Sequence, residues 1–177
     1  MKLQDSQNIG ISGSTCVCSI ITPSHILCAN VGDSRCVLGT GAMKSGVLTH
    51  TFVSLSEDHK PSLPDETTRI NNAGLFVLDD RVKGELAMSR ALGDFQYKAN
   101  PLLSEAQQAV TCYPDIAVQR RNIELDNVLI LACDGVWDVM TNEEGVSYLQ
   151  DVVMKNKKTQ ALTHVSCDEA AHSLISL

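Results

Sequence analysis

From Ser14 to Gly39 the chain alternates short apolar runs with polar punctuation. "STCVCSII" reads as a strand, "TPSH" as a turn, "ILCANV" as a second strand, and Gly32-Asp33 as a turn into "SRCVLG". Three short strands in this order predict an antiparallel meander. "VLTHTFVSL" and "GLFVL" read as further strands, the latter followed by an Asp79-Asp80 turn into Arg81-Val82. "VLILAC" is an unbroken apolar run and predicts a strand buried on both faces.

Helical signals are fewer. "PDETTRINNAG" carries Pro64 and Asp65 at its start and Gly74 just past its end. Thr141 with Glu144 forms a capping box, after which Val146, Leu149 and Val153 recur on one helical face. A further helix is expected from Asp168 to Leu177, with a polar loop at "MKNKKTQ" before it. With no internal repeat, low-complexity tract or linker, residues 1–177 predict a single strand-dominated domain.

Charge narrows the partners. There are 14 basic against 21 acidic residues, a formal charge of -7, and the basic clusters are no longer than Lys157-Lys158 or Arg120-Arg121. This leaves no electrostatic footprint for nucleic acid or an anionic membrane and points to cations as the charged partners. No apolar run approaches the roughly 20 residues of a membrane helix, and "MKLQDSQNIG" has no apolar leader core. The chain is therefore expected to be soluble and not secreted. Of seven cysteines, Cys16, Cys18, Cys28, Cys36 and Cys133 lie in apolar, strand-like runs, where a free thiol behaves as a small hydrophobe. "CVC" has no second pair at metal-ligand spacing, so buried thiols in a reducing compartment are expected rather than a metal or redox site. His59 and His164, without ligand spacing either, read as surface or structural histidines.

The candidate chemistry sits at strand ends. A strand buried on both faces cannot carry a carboxylate in its middle without a steep desolvation cost, so an acid belongs at its exit. Asp134 occupies the exit of "VLILAC". Gly135 is expected to free the backbone for a sharp turn, and Asp138 follows four residues later, on the same side if the turn is helical. The alternative is a turn cap and an exposed acid. Asp33, in "ANVGDSR", repeats the pattern and is either a good turn former or a ligand. Carboxylates without His or Cys select Mg²⁺ or Mn²⁺ over zinc or copper.

Five stretches in order, "SGSTCVCSIITPSHILCANVGDSRCVL", "EDHKPSLPDETTRINNAG", "GELAMSRALGDFQYK", "TCYPDI" and "ILACDGVWDVM", resemble the metal-dependent serine/threonine protein phosphatases of type 2C, the PPM family. The resemblance implies an α+β fold, an α-β-β-α sandwich of two antiparallel sheets flanked by helices. It also implies two or more Mg²⁺ or Mn²⁺ ions at one end of the sandwich and a metal-activated water attacking a phosphoserine or phosphothreonine. Asp134 matches an inner-sphere metal aspartate, and Asp33 and Asp138 match acids of a further, weaker site. The three carboxylates are expected to converge within roughly 4 to 8 Å of each other. Arg90, in the segment matching the family's flap, is either a substrate contact or an ion-pair partner. The implied partner is a phosphoprotein substrate, and the implied state is a monomer in cytoplasm, nucleus or both.

The departures matter as much. The family's "Asp-Gly-His-Gly-Gly" segment and phosphate-gripping arginine have no counterpart in residues 1–11, and the late "Asp-Asn" pair is not matched by Asp126-Asn127, which precede the "DG" strand. The sandwich is thus expected to be incomplete at both ends and the chain catalytically feeble alone. Three readings stay open: part of an active phosphatase, a pseudophosphatase that binds phosphoproteins or regulators, and a non-catalytic interaction domain. Three cleft acids favour the first.

Overall fold

Thr22 closes the first hairpin. Its N–H donates to the His25 carbonyl at 2.8 Å, and its Oγ1 accepts the His25 N–H at 2.8 Å. The turn joins β2 (Cys16–Ile21) to β3 (His25–Val31), which are neighbours in a three-stranded sheet whose other outer strand is β11 (Asp115–Arg120). The structure is a computed structural model and describes residues 12–44, 47–159, 171–172 and 174–175.

The expected three-strand meander is corrected at Gly32-Asp33. β4 (Arg35–Thr40) does not pair with β3; it is the central strand of a second sheet, between β7 (Thr51–Ser54) and β12 (Asp126–Ala132). Both pairings are antiparallel, with Ile130 opposite Val37 and Val53 opposite Leu38. Local turn chemistry marks where a chain reverses but not which sheet the next strand enters.

The same sheet corrects the reading of "VLILAC". β12 is an outer strand among the described residues, and Leu131 is exposed, whereas Cys36, Val37 and Leu38 of β4 are buried. Apolar content is therefore a poor guide to which strand is central. "VLTHTFVSL" also divides, into β6 (Val47–Leu48), paired with β5 (Met43–Lys44), and β7.

The chain folds as two compact units. The first comprises Met1–Cys18, Ala29–Ser34 and Glu57–Ile116. Its core is Ile70, Val82, Ala91, Tyr97 and Val110, against which Leu75, Val77, Leu86 and Met88 pack. Here lie α1 (Pro64–Asn72), the hairpin β8 (Val77–Leu78) and β9 (Arg81–Val82), and β10 (Leu92–Gly93), which pairs with β1 (Gly13–Ser14). The Asp79-Asp80 turn forms as expected, both residues having positive φ (51° and 58°). Short side chains that hydrogen-bond locally tolerate that region better than most.

The second unit comprises Ser19–Cys28, Arg35–Ser56 and Ala117–Leu177. Val37, Ile130, Trp137, Val146, Leu149 and Leu174 form its core, which joins the β7-β4-β12 sheet to α3 (Asn142–Thr159). The close approach depends on Gly39, where an added Cβ would lie 2.4 Å from Val128 Cγ2 and 2.9 Å from Val146 Cγ1. Gln150 of α3 then donates to the Thr40 carbonyl and to Asn127 Oδ1. Asn127 thus has a structural role. The capping box forms, with Thr141 Oγ1 and N–H both on Glu144 Oε2 at 2.8 Å. The polar loop expected at residues 154–160 is corrected: α3 continues to Thr159, as lysine-rich sequence has ample helix propensity to do. The expected helix from Asp168 and His164 lie mostly or wholly outside the described residues.

Candidate metal acids and their supports

Asp33 sits on the turn between β3 and β4, in the first unit, and is only 3% exposed. Burial of a carboxylate demands partners, and Lys60 Nζ donates to its Oδ2 at 2.7 Å. The turn itself is heavily tied. Gly32 has φ of 105°, where a side chain would be strained and its Cβ would meet Thr15 Cγ2 at 2.4 Å. The Gly32 carbonyl accepts from the His59 N–H at 3.1 Å and from Asn30 Nδ2 at 3.0 Å. Thr15 Oγ1 and Ser34 Oγ are 2.7 Å apart.

Asp134 and Asp138 belong to the second unit. Asp134 opens α2 (Asp134–Trp137), and the Asp138 N–H donates to the Asp134 carbonyl at 2.7 Å, so the turn is helical and the four-residue spacing lies along one side. Both acids are exposed. Trp137 anchors the turn through Nε1–H to the Ala132 carbonyl at 3.0 Å and through Arg35, whose guanidinium lies 5.2 Å from its ring centroid. One expectation is corrected: Gly135 has no positive φ, and a Cβ there would meet nothing closer than Cys133 Sγ at 3.7 Å. The helical turn asks nothing special of glycine.

Arg90 is fully engaged. Its Nε and Nη2 donate to Glu66 Oε1 at 3.1 and 2.8 Å, and its Nη1 donates to Asp115 Oδ1 at 2.7 Å and to the Tyr113 carbonyl at 3.1 Å. Of the two uses open to it from sequence, the structure displays the ion pair. The hub of that network, Glu66, was not singled out by sequence reasoning. It is 3% exposed and also binds Arg69 at 2.7 and 2.6 Å and the Ser89 hydroxyl. Burial alone would push its carboxyl up, but the bonds from Arg69, Arg90 and Ser89 prevail and hold it down at about 2. For Asp115 burial likewise opposes ionisation, and Arg90 and His59 outweigh it, holding the carboxyl below its ordinary value.

The cysteines need correction too. Cys28 and Cys36 are buried as expected, but Cys16, Cys18 and Cys133 are exposed, because strand alternation and the start of α2 turn them outward. None of these five forms a disulfide.

A sequence model described as protein phosphatase 2C matches residues 1–175. The chain belongs to the protein phosphatase 2C family. Protein phosphatase ppm-1.A of Caenorhabditis elegans is 44% identical over 146 residues, covering 82% of this chain and 29% of that protein. Human protein phosphatase 1A is 47% identical over 133 residues, 75% of this chain and 33% of that protein. Among solved structures, a phosphatase from a pathogenic strain of Toxoplasma gondii superposes with a TM-score of 0.67 at 33% identity, covering 86% of this chain and 43% of that one. Serine-threonine phosphatase 2C of Toxoplasma gondii gives 0.66 at 26% identity, covering 84% of this chain and 50% of that one. The mixed α+β architecture expected from sequence is the family's. The chain spans about a third of the length of these curated relatives.

Donor chemistry within the family chain fits a hard divalent cation, since Asp33, Asp134 and Asp138 offer only oxygen. Among the described residues no three His, Cys, Asp or Glu side chains form a metal-binding group.

Proposed function

We propose that this chain carries part of a metal-dependent protein serine/threonine phosphatase that hydrolyses phosphoserine and phosphothreonine in proteins. The observation that carries the reading is the family match over residues 1–175, which takes in both acid-bearing turns. Asp33, Asp134 and Asp138 are the residues that would hold Mg²⁺ or Mn²⁺. Such an ion, when bound, supplies Lewis-acid charge beside a phosphoryl group and lowers the pKa of a water it holds.

The chain's own residues set the stage for this. The α2 turn presents Asp134 and Asp138 to solvent from a backbone locked by Trp137. Lys60 neutralises the buried Asp33 carboxylate, and a divalent cation arriving there would compete with that ammonium. Arg90 fixes Glu66 of α1 to Asp115 of β11 and so holds the segment after α1 in place.

The Asp33–Lys60 pair favours a second reading as well. An acid already neutralised by a lysine can serve a phosphoprotein-binding regulatory module without turnover. The two are separated by a hybrid in which human protein phosphatase 1A supplies everything outside the 133 matched residues. We expect the 177-residue chain to show no Mn²⁺-dependent hydrolysis of a phosphothreonine peptide above background, the hybrid to show it, and Asp134→Ala in the hybrid to abolish it. A hybrid that folds and binds the peptide but stays inert with Mn²⁺ supplied would put the second reading first.

A further inference from the structure

His59, in the "EDHKP" stretch, has no role in the proposed hydrolysis as stated, yet it is 2% exposed and bonded on every side. Its Nδ1 lies 2.9 Å from the Gly32 nitrogen. A backbone N–H can only donate, so Nδ1 must present its lone pair. The ring proton then resides on Nε2, which faces Asp115 Oδ2 at 3.1 Å. The hydrogen-bond pattern assigns one tautomer, and Asp115 is the residue that selects it.

The main chain of His59 completes a clamp. Its N–H donates to the Gly32 carbonyl at 3.1 Å, so Gly32 is gripped on both its amide and its carbonyl by one residue. Its own carbonyl accepts from the Ser89 N–H at 2.9 Å, while the Ser89 hydroxyl proton goes to Glu66. Asp115, in turn, receives Arg90 Nη1 on its other oxygen. Gly32 directly precedes Asp33, and Lys60, which pairs with Asp33, directly follows His59. Two adjacent residues of one segment thus hold the backbone and the carboxylate of a two-residue turn.

We propose that His59 is a positioning residue for Asp33: its Asp115-fixed Nε2–H tautomer holds the Gly32 amide and thereby sets the direction in which the Asp33 carboxylate meets a divalent cation. The proposal rests on the reading of Asp33 as a metal acid. A purely space-filling imidazole would not need one tautomer; here the acceptor nitrogen satisfies the buried amide of the residue directly before that acid. Supports of this kind, one step removed from a ligand, orient the ligand without touching the ion.

Two substitutions separate the ring's functions. Asn places an oxygen near the position of Nδ1 and can still accept from Gly32; Gln places an amide near Nε2 and can reach Asp115 but not Gly32. In the 177-residue chain, ¹⁵N NMR should show Nδ1 of His59 unprotonated and Nε2 protonated. Losing the acceptor in His59→Gln should speed Gly32 amide exchange by about tenfold, while His59→Asn should stay within about twofold of wild type. Mn²⁺ titration, followed by line broadening at Ser34, should shift its midpoint by about tenfold in His59→Gln and be rescued in His59→Asn.

A protonated Nδ1 in the wild-type chain overturns the proposal without any variant, even if the substitutions fail to fold. So does a folded His59→Gln whose Gly32 exchange and Mn²⁺ midpoint match wild type. Asp33→Asn with an unchanged Mn²⁺ midpoint overturns instead the metal reading of Asp33, and with it the purpose assigned to His59. The two failures are distinct because Gly32 exchange reports the clamp with no metal present.

Discussion

At the scale of single residues, the group with most at stake is Glu66. A carboxylate buried among two guanidinium groups and a hydroxyl is stable only while ionised, and its pKa falls from 4.5 to about 2 on folding. The sign follows from proton counting: between those values the unfolded chain binds more protons than the folded one, so stability rises with pH across that window. The contribution is fully present above pH 4.5 and is lost as pH falls through about 2. A shift of that size corresponds to about 3 kcal/mol. Glu66→Gln, which mimics the protonated acid, should therefore lower the unfolding free energy by about 3 kcal/mol at neutral pH. Urea denaturation of both proteins at a series of pH values checks it: the gap should close below pH 4.5, and a gap independent of pH would mean that Glu66 acts by shape alone. The local sequence "PDETTR" announced a helix start. It could not announce this clamp, because Ser89, Arg90 and Asp115 arrive from more than twenty positions away.

Elements whose signals are local were legible. The α1 start and stop, the Asp79-Asp80 turn, the Thr22 hairpin and the capping box of α3 all follow from residues within four positions of one another. The capping box also yields a number. Thr141 Oγ1 meets both the carboxylate and the N–H of Glu144, so Thr141→Ala leaves a helix N–H without its side-chain acceptor. It should lower the unfolding free energy by about 1 kcal/mol. Chemical denaturation reads this directly, and Thr141→Ser should restore most of the loss. What the sequence obscured was decided by partners elsewhere in the chain. β3 and β4 look like two strands of one meander until β11 and β12 are seen to complete separate sheets. β12 looks more deeply apolar than β4, yet among the described residues β4 lies between two strands and β12 does not. The same holds for the candidate site: Asp33 and Asp134 stand at strand ends that are readable locally, whereas the partners of His59, Glu66 and Asp115, which hold the turn and the Arg90 network, come from distant positions.

For the molecule as a whole, the question is what its exposed apolar surface does in water. The β2-β3-β11 sheet carries Ile20 at 64% exposure on β2 and Val118 at 62% on β11, and among the described residues both are outer strands. Outer strands with unpaired backbone groups and uncovered β-branched side chains are templates for association with another chain. Few positions on β2 oppose this, since Cys16–Ile21 contains no charged residue. The net charge of -7 disfavours close approach, but its repulsion is screened within about 10 Å at 0.1 M salt. The 177-residue chain should therefore be monomeric at low ionic strength and low concentration, and associate as either rises. Light scattering across a salt series measures this. The double substitution Ile20→Thr with Val118→Thr keeps β-branched strand formers while removing two apolar side chains, so it should move the onset of association to higher protein concentration with little change in thermal midpoint. Association unaffected by the pair, or abolished by added salt, would place its cause in charge pairing rather than in this sheet.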